Sequence, residues 1–469
     1  MQYPDWVLKH KKKNTEIRKF GNSYYLYEIK SVWDPEKKRA RKVTVKYLGK
    51  ITPDGIVRPR KEREREKLKN VEVKEYGATK FIMDANEDVI DVLKSIFPDY
   101  WGEILAFSIA RLMHCSAIKN VQFHYSTSYL SNTVKARSSP KSMSKMLKDV
   151  GMDRKRVKEF LSRFIGHENI VVDVTYTFTK SENAVMPSLG YNSLNEFTPQ
   201  INLLFFFALD KRMPAYFRLI PGSVRDVSSL VLSIRESGVK NAVLIGDKGF
   251  YSERNVEEAE KAGLYYVFPL KRNSRLVDYS IIERGDKREF DGYFIFEKRV
   301  IWYYSYTVNK RRIVVFLDEK LRVEEERDFL LRDNNDIEEF YGKLPRFGTV
   351  AVITNLECNA EKIYSMLKSR VEIEQMFDSF KNVLNADRTY LRDDHAIAGW
   401  MFVNFVSLLF YYRIYNMLSE KGLLKRMSVK DVLLHLSRVY RLKIGDEWYT
   451  SEVPRKTREI VEKLGVNIT

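Results

Sequence analysis

The order of segments along the chain predicts a mixed α/β protein, with a basic β-rich element and a helical region ahead of the core and a β-rich insertion within it. Three observations carry this expectation. From residue 169 onward, apolar runs of strand length alternate with stretches of helical spacing. Residues 87–165 place apolar side chains at helical intervals. Residues 20–60 and 276–350 alternate apolar and polar residues between turn-forming clusters, as strands do.

The first element spans residues 1–70. Tyr24, Tyr25, Leu26, Tyr27 and Ile29 lead to Val32-Trp33-Asp34-Pro35, read as a turn, and then to Val43, Val45, Tyr47 and Leu48. This is a basic hairpin or small sheet. The charge-dense KEREREKLKN at residues 61–70 reads as a helical connector with a solvated face. Residues 71–168 form the helical domain, with Val89, Ile90, Val92, Leu93 and Ile96 on one stripe and a second apolar run at Ile104–Met113. Within it, two short amphipathic helices meet near Gly151, and Arg154, Lys155, Arg156 and Lys158 lie on the second. That pair reads either as a helix-turn-helix or as part of a plain helical bundle.

The core begins at residues 169–275. Strands are expected at Ile170–Thr177, Ile201–Leu209 and Tyr216–Ile220, then a helix from Asp226 to Ser237, a strand at Ala242–Ile245, a helix over Arg254–Ala262 and a strand at Tyr265–Pro269. Such an order implies a sheet that is antiparallel first and parallel later. Residues 276–350 are the insertion. Residues 351–420 return to the core with one long helix over 357–384 and an apolar helix after it, and residues 421–469 read as a helical C-terminal region.

Composition narrows the function. The 469 residues are 44% hydrophobic and 31% charged, which fits a folded chain and not a disordered one. The formal net charge is +18, and residues 1–70 hold 21 Lys and Arg against nine Asp and Glu. Concentrated positive charge of this kind suits a polyanion, because each neutralised phosphate releases condensed counterions. Cys115 and Cys358 stand far apart, so neither a disulfide framework nor a cysteine zinc site is expected, and a reducing, cytoplasmic setting follows. The start of the chain, with Lys11, Lys12 and Lys13, lacks the apolar stretch of a signal peptide. The apolar run Ala396–Tyr412 includes Asn404 and Ser407 and falls short of the ~20 residues a spanning helix needs. It reads as a buried core helix, and no membrane partner is expected.

Three acids sit where a polar group needs a reason. Asp173 lies between Val171-Val172 and Val174, Asp247 ends the apolar AVLIG run just before Gly249, and Glu374 lies on the long helix with Glu372 and Asp378 as neighbours. A carboxylate among β-branched residues is costly unless a cation or partner compensates it. Three acids at one sheet edge would suit two hard cations about 4 Å apart, Mg²⁺ or Mn²⁺, in phosphodiester hydrolysis. Each acid also has an ordinary reading: a solvent-facing strand position, a strand-to-helix turn, a helix surface. The spacing Arg370, Glu374, Phe377, Lys381 puts all four residues on one helical stripe, an acid flanked by two bases and an aromatic ring. That stripe suits a metal site with phosphate contacts, and surface Arg–Glu pairing is its plain alternative.

These residues carry a resemblance. The chain resembles the DDE transposases of bacterial and archaeal insertion sequences, in particular the group with a Tyr-x2-Arg-x3-Glu-x6-Lys signature and a β-rich insertion before its glutamate. Arg370-x3-Glu374-x6-Lys381 matches the last three positions, GDKGFYS (246–252) the second-aspartate block and VVDVTYT (171–177) the first. PQINL (199–203) and PGSVRD (221–226) are similar to core strands of the family, and the strong resemblance covers roughly residues 165–420. The start of the chain (YYLYEIKSVWD, KYLGKI) is similar to one branch. One position departs: Leu367 stands where the signature has tyrosine, and the nearest tyrosine is Tyr364, one turn earlier.

The resemblance implies an RNase H-like catalytic core whose metal ligands and catalytic acids are Asp173, Asp247 and Glu374, holding two Mg²⁺ ions or Mn²⁺ in their place. It further implies that Arg370 and Lys381 hold phosphates near the scissile bond. The implied partners are double-stranded DNA, both terminal inverted repeats and target, with a homodimer on the DNA and a nucleoid-associated location. Trp302, in the insertion, is a candidate for stacking on a displaced base, although a tryptophan on a strand also reads as core. Another nuclease on the same core, or a decayed derivative that only binds DNA, is the alternative.

Overall fold

Alternating Tyr, Leu and Val residues near the start of the chain form strands: β1 (Thr15–Phe20), β2 (Ser23–Asp34), β3 (Arg39–Thr52) and β4 (Gly55–Val57), joined in the order β1-β2-β3-β4. The computed structural model describes residues 3–69, 71–166, 169–179, 181, 184–188, 199–222, 226–240, 242–332 and 337–468. Residues 223–225 of the PGSVRD segment lie outside the described residues. The expected turn at 32–35 is corrected. Val32 and Trp33 keep the extended conformation their shapes favour, the strand runs through Asp34, and the turn follows, with Asp34 Oδ1 accepting the Lys37 N–H at 3.2 Å. Val7, Ile17, Leu26 and Ile51 form a small core with Tyr3, Trp6, Tyr24 and Leu48 against it. KEREREKLKN is helical, from Arg60 to Lys69.

These strands belong to a smaller unit that also contains β5 (Glu72–Glu75) and residues 439–453. The larger unit comprises Tyr76–Arg438 and Pro454–Ile468. Its helical part includes α1 (Trp101–His114), α2 (Pro140–Met152) and α3 (Arg154–Ser162). The hinge between the last two is Asp153, whose carboxylate caps α3 by accepting the Arg156 N–H.

The core strands are β6 (Asn169–Thr179), β7 (Gln200–Ala208) and β8 (Met213–Pro221). After α4 (Asp226–Ser237) come β9 (Val243–Ile245), α5 (Glu253–Lys261) and β10 (Tyr265–Pro269). β6, β7 and β8 are antiparallel, whereas β9 runs parallel to β6 and β10 parallel to β9. The antiparallel-then-parallel order read from the sequence is the order observed.

The strands of the insertion, β11 (Gly292–Phe296), β12 (Arg299–Val308) and β13 (Arg311–Asp318), do not form a separate sheet. With β14 (Thr349–Thr354) they extend the core sheet in the order β11-β12-β13-β14-β10-β9-β6-β7-β8. Two-residue turns with positive φ, Glu297-Lys298 and Asn309-Lys310, close the two hairpins and match the twist of the strands.

The expected single helix over 357–384 is also corrected. It is divided into α6 (Ala360–Lys368), α7 (Val371–Asp378) and a π turn at Ser379–Val383, where the Leu384 N–H donates to the Ser379 carbonyl. Ser369 Oγ donates to the Met366 carbonyl at 2.6 Å, a local bond of the kind that bends helices. After the short β15 (Arg388–Thr389) beside β6 comes α8 (Asp394–Glu420).

α8 is long and apolar enough to cross a membrane, but 83% of its apolar window is buried inside the protein. Its polar residues serve packing: Ser407 Oγ bonds the Ser108 carbonyl of α1, and Asn404 Oδ1 accepts from Arg111. α2 crosses α8 at glycines. A Cβ on Gly151 would stand 1.9 Å from the His395 carbonyl oxygen, and one on Gly399 1.9 Å from that of Leu147. The helix pair around Gly151 is thus built into the bundle by its first helix. The C-terminal region is only partly helical, since β16 (Tyr440–Ile444) pairs with β5 on one side and β17 (Glu447–Thr450) on the other in a three-stranded sheet of the smaller unit.

Candidate active site

Register builds the site. β6 pairs with β9 in parallel, Val171 beside Ile245, so two residues further along each chain Asp173 and Asp247 reach the same level with the same parity. Across the other edge of β6, Asp173 faces Phe205 of β7, and Phe205 packs on Phe377 and Phe380 at centroid distances of 6.0 and 5.5 Å. Residues directly opposite share a face, so Asp173 lies on the face that α7 covers.

Arg370, at the start of α7, joins the two acids. One terminal nitrogen lies 3.3 Å from Asp173 Oδ2 and the other 3.2 Å from Asp247 Oδ1. Asp173 also accepts the Val174 N–H at 2.8 Å, and Asp247 the Lys248 N–H at 2.6 Å. Burial pushes the Asp173 carboxyl up to about 6. The Val174 amide and Arg370 hold it down, and Asp247 pushes it further up. Arg370 Nε is buried without a hydrogen-bond partner, so the guanidinium keeps one donor unspent. In the turn after β9, Gly246 is the crowded glycine, since a Cβ there would lie 3.1 Å from Phe250 and Phe268, whereas one on Gly249 would meet nothing.

Glu374 lies one turn beyond Arg370, exposed, its carboxylate with no hydrogen bond or ion pair to any described residue. Its neighbours are committed. Glu372 pairs with Arg212 at 3.0 Å, and Asp378 accepts from Asn382 at 2.6 Å. The free acid of the helix is Glu374. The expected convergence of three acids is not what the side chains form: among the described residues no three Asp, Glu, His or Cys side chains make one metal-binding group. Arg370 bridges the two aspartates. A hard cation would fit the two aspartates by charge, donor type and the desolvation of Asp173.

Lys381 leaves the expected stripe, because the π turn rotates it. Its ammonium lies 3.8 Å from the centre of the Tyr176 ring, and burial lowers its pKa, partly countered by Asp387. Trp302 is not brought to the acids. Five strand spacings, roughly 24 Å, separate β12 from β6. Its ring is half-buried against Phe290 and Tyr293 with the Lys287 ammonium 4.9 Å from its centre, and its Nε1 is buried without a partner. Tyr364 is buried among Phe294, Phe296 and Phe316, with centroids 5.0–5.4 Å away, so it fastens α6 to the sheet.

One positioning residue escaped the sequence reading. Arg111, buried in α1, donates to Asn404 Oδ1 and to the carbonyls of Cys115, Ser116, Leu384 and Asn385. It fastens the end of the helical segment that carries Arg370, Glu374 and Lys381. Its signal was an arginine inside the apolar run Ile104–Met113.

Residues 167–410 match the family described as "Transposase DDE domain". No curated protein sequence matches the chain. The solved piggyBac transposase synaptic complex with hairpin DNA is similar over 72% of this chain and 70% of that one, at 11% identity and a TM-score of 0.40. The Mos1 transposase paired-end complex with left transposon end is similar over 55% of this chain and 75% of that one, at 12% identity and a TM-score of 0.16. Similarity at that level carries no argument by itself. The family match runs from just before the strand of Asp173 to the middle of α8, takes in both aspartates, Arg370 and Glu374, and covers more than half of the sequence: the chain belongs to the DDE transposase family.

Proposed function

We propose that this protein is the transposase of a bacterial or archaeal insertion sequence, cutting DNA at the element's ends and joining the freed ends to target DNA. The observation that carries the reading is the Arg370 clasp, which joins Asp173, within β6, to Asp247, just past the end of the adjacent parallel strand β9. The sheet order β8-β7-β6-β9-β10, antiparallel then parallel with α4 and α5 in the crossovers, supports an RNase H-like core.

Asp173, Asp247 and Glu374 are the acids of the reaction and would hold Mg²⁺, or Mn²⁺ in its place, as a pair of ions. When bound, such ions activate the attacking oxygen and stabilise the leaving one. The chain's own residues do the rest. Arg370 releases the aspartates and turns its donors, including the unspent Nε, to a phosphate near the scissile bond. Lys381, desolvated over Tyr176, is held beside β6 for a second phosphate. Trp302 contributes through its strand and is reached by DNA only if its aromatic neighbours part. The partners are the terminal inverted repeats and target duplex, bound by two copies of the chain in the cytoplasm, at the nucleoid.

The test is cleavage of a labelled duplex bearing the flanking terminal repeat, with Mg²⁺, Mn²⁺ or EDTA, beside the Glu374→Gln variant. Metal-dependent cutting at the repeat boundary, lost in the variant, is expected. Cutting that ignores the repeat would make the protein a nuclease of another kind. Binding without cutting under either metal would make it a decayed derivative.

A further inference from the structure

The distal half of the β2–β3 hairpin is a ribbon without a core. β1 pairs with β2 only as far as Glu28, and β4 with β3 only at Lys50–Thr52. Beyond Ile29, five residue pairs from Lys30–Val43 to Asp34–Arg39 bond across the hairpin, a length of about 17 Å. The core residues Val7, Ile17, Leu26 and Ile51 all lie behind this stretch, and none of its own side chains is buried. A two-stranded ribbon of this kind is marginal in water, so a partner surface is the natural source of its order.

Its chemistry specifies the partner. Residues 30–43 hold six Lys and Arg against two acids. Of the acids, Asp34 caps the turn and lies 3.7 Å from Arg41. Register puts Lys42 on one face with Ser31, Trp33 and Ala40, and Lys30, Arg39 and Arg41 with Asp34 on the other, so both faces carry positive charge. Trp33 stands 63% exposed at the tip of the first. A flat anionic surface would engage one face and leave the other's charges in water. A groove with phosphates on both walls engages both, and the duplex major groove, about 12 Å wide and 8.5 Å deep, admits a two-stranded ribbon.

We infer that Lys30–Val43 is a DNA-reading ribbon that enters the major groove of duplex DNA, with both faces reaching phosphates and Trp33 at its tip. The inference rests on the transposase reading and goes beyond it by naming the element and the groove.

The full-length protein is titrated on a duplex carrying the terminal repeat over a range of salt concentrations, with dimethyl sulfate probing guanine N7 in the major groove. The variant K30Q/K38Q/R39Q/K42Q is expected to reduce the slope of log K against log salt by about 3 to 4, at roughly 0.9 for each phosphate that is no longer neutralised. N7 protection should disappear over one patch of the repeat while the circular dichroism spectrum stays that of the wild type. W33A, which keeps every charge, is expected to weaken binding several-fold with the slope unchanged. A quadruple variant that keeps the wild-type slope, or its N7 protection, overturns the ribbon assignment even though the protein binds DNA. A wild-type chain that binds no duplex at all overturns the transposase reading itself.

Discussion

Asp173 pays for its position with solvation, and this has a measurable sign. Its carboxyl is raised from 3.8 to about 6 in the folded protein, so between those values the folded state holds more protons than the unfolded one. Stability of the metal-free protein therefore falls as pH rises through that window, by on the order of 2–3 kcal/mol in all. Asp173→Asn should melt higher than wild type above pH 6 without metal, the gain vanishing near pH 4. Equal melting temperatures throughout would mean the carboxylate is not desolvated. Arg370→Gln should bind Mn²⁺ roughly tenfold tighter in calorimetry without DNA, since a charge-assisted competitor is gone, while cleavage falls. Unchanged affinity would show that the clasp does not compete. Glu372→Gln should cost no more than about 1 kcal/mol, an exposed ion pair with Arg212, and keep cleavage. Loss of cutting there, with Glu374→Gln active, would exchange the two assignments. The aspartates were legible because each interrupts an apolar run. The clasp was not, because Arg370 read as a phosphate ligand, and only the pairing of β6 with β9 reveals the gap that it spans.

At the scale of elements, the sequence revealed strand order better than helix continuity. Apolar runs between turn signals located β6 to β10, whereas the break at Ser369 and the π turn after Asp378 depend on bonds that periodicity does not register. The same holds for β16 and β17, short polar strands of a sheet in which β5, distant in sequence, pairs with β16. Helix crossing is also decided by single atoms. Gly151→Ala or Gly399→Ala would drive a methyl group against a backbone carbonyl, and each should cost about 1–3 kcal/mol or more in denaturant unfolding. A neutral result would mean that α2 and α8 can separate freely. Arg111→Met leaves several carbonyls at two helix ends without their donor. A loss of at least about 2 kcal/mol is expected, with proteolytic nicking near residues 384–386 as the local readout.

For the whole molecule, the division into two units makes a prediction about deletion. The larger unit has its own sheet and its own buried helix, so a chain lacking residues 1–70 should stay folded by calorimetry while its DNA binding weakens and becomes less dependent on salt. An unchanged salt dependence would remove DNA contact from that region. The insertion should behave differently. β13 pairs with β14 through six residues, and Arg272 of the β10 side bonds the Thr349 carbonyl, so excising 276–343 opens a long edge in the middle of a sheet. Aggregation is expected, and a soluble, protease-resistant product would contradict it. β5 carries a different implication, one about time. Its partner strand begins at residue 440, so the ribosome makes every strand of the larger sheet before the segment that pairs with Glu72–Glu75. The small unit reaches its finished form no earlier than the making of residues 440–444, and a message cut short before them yields a chain in which β5 has nothing to join.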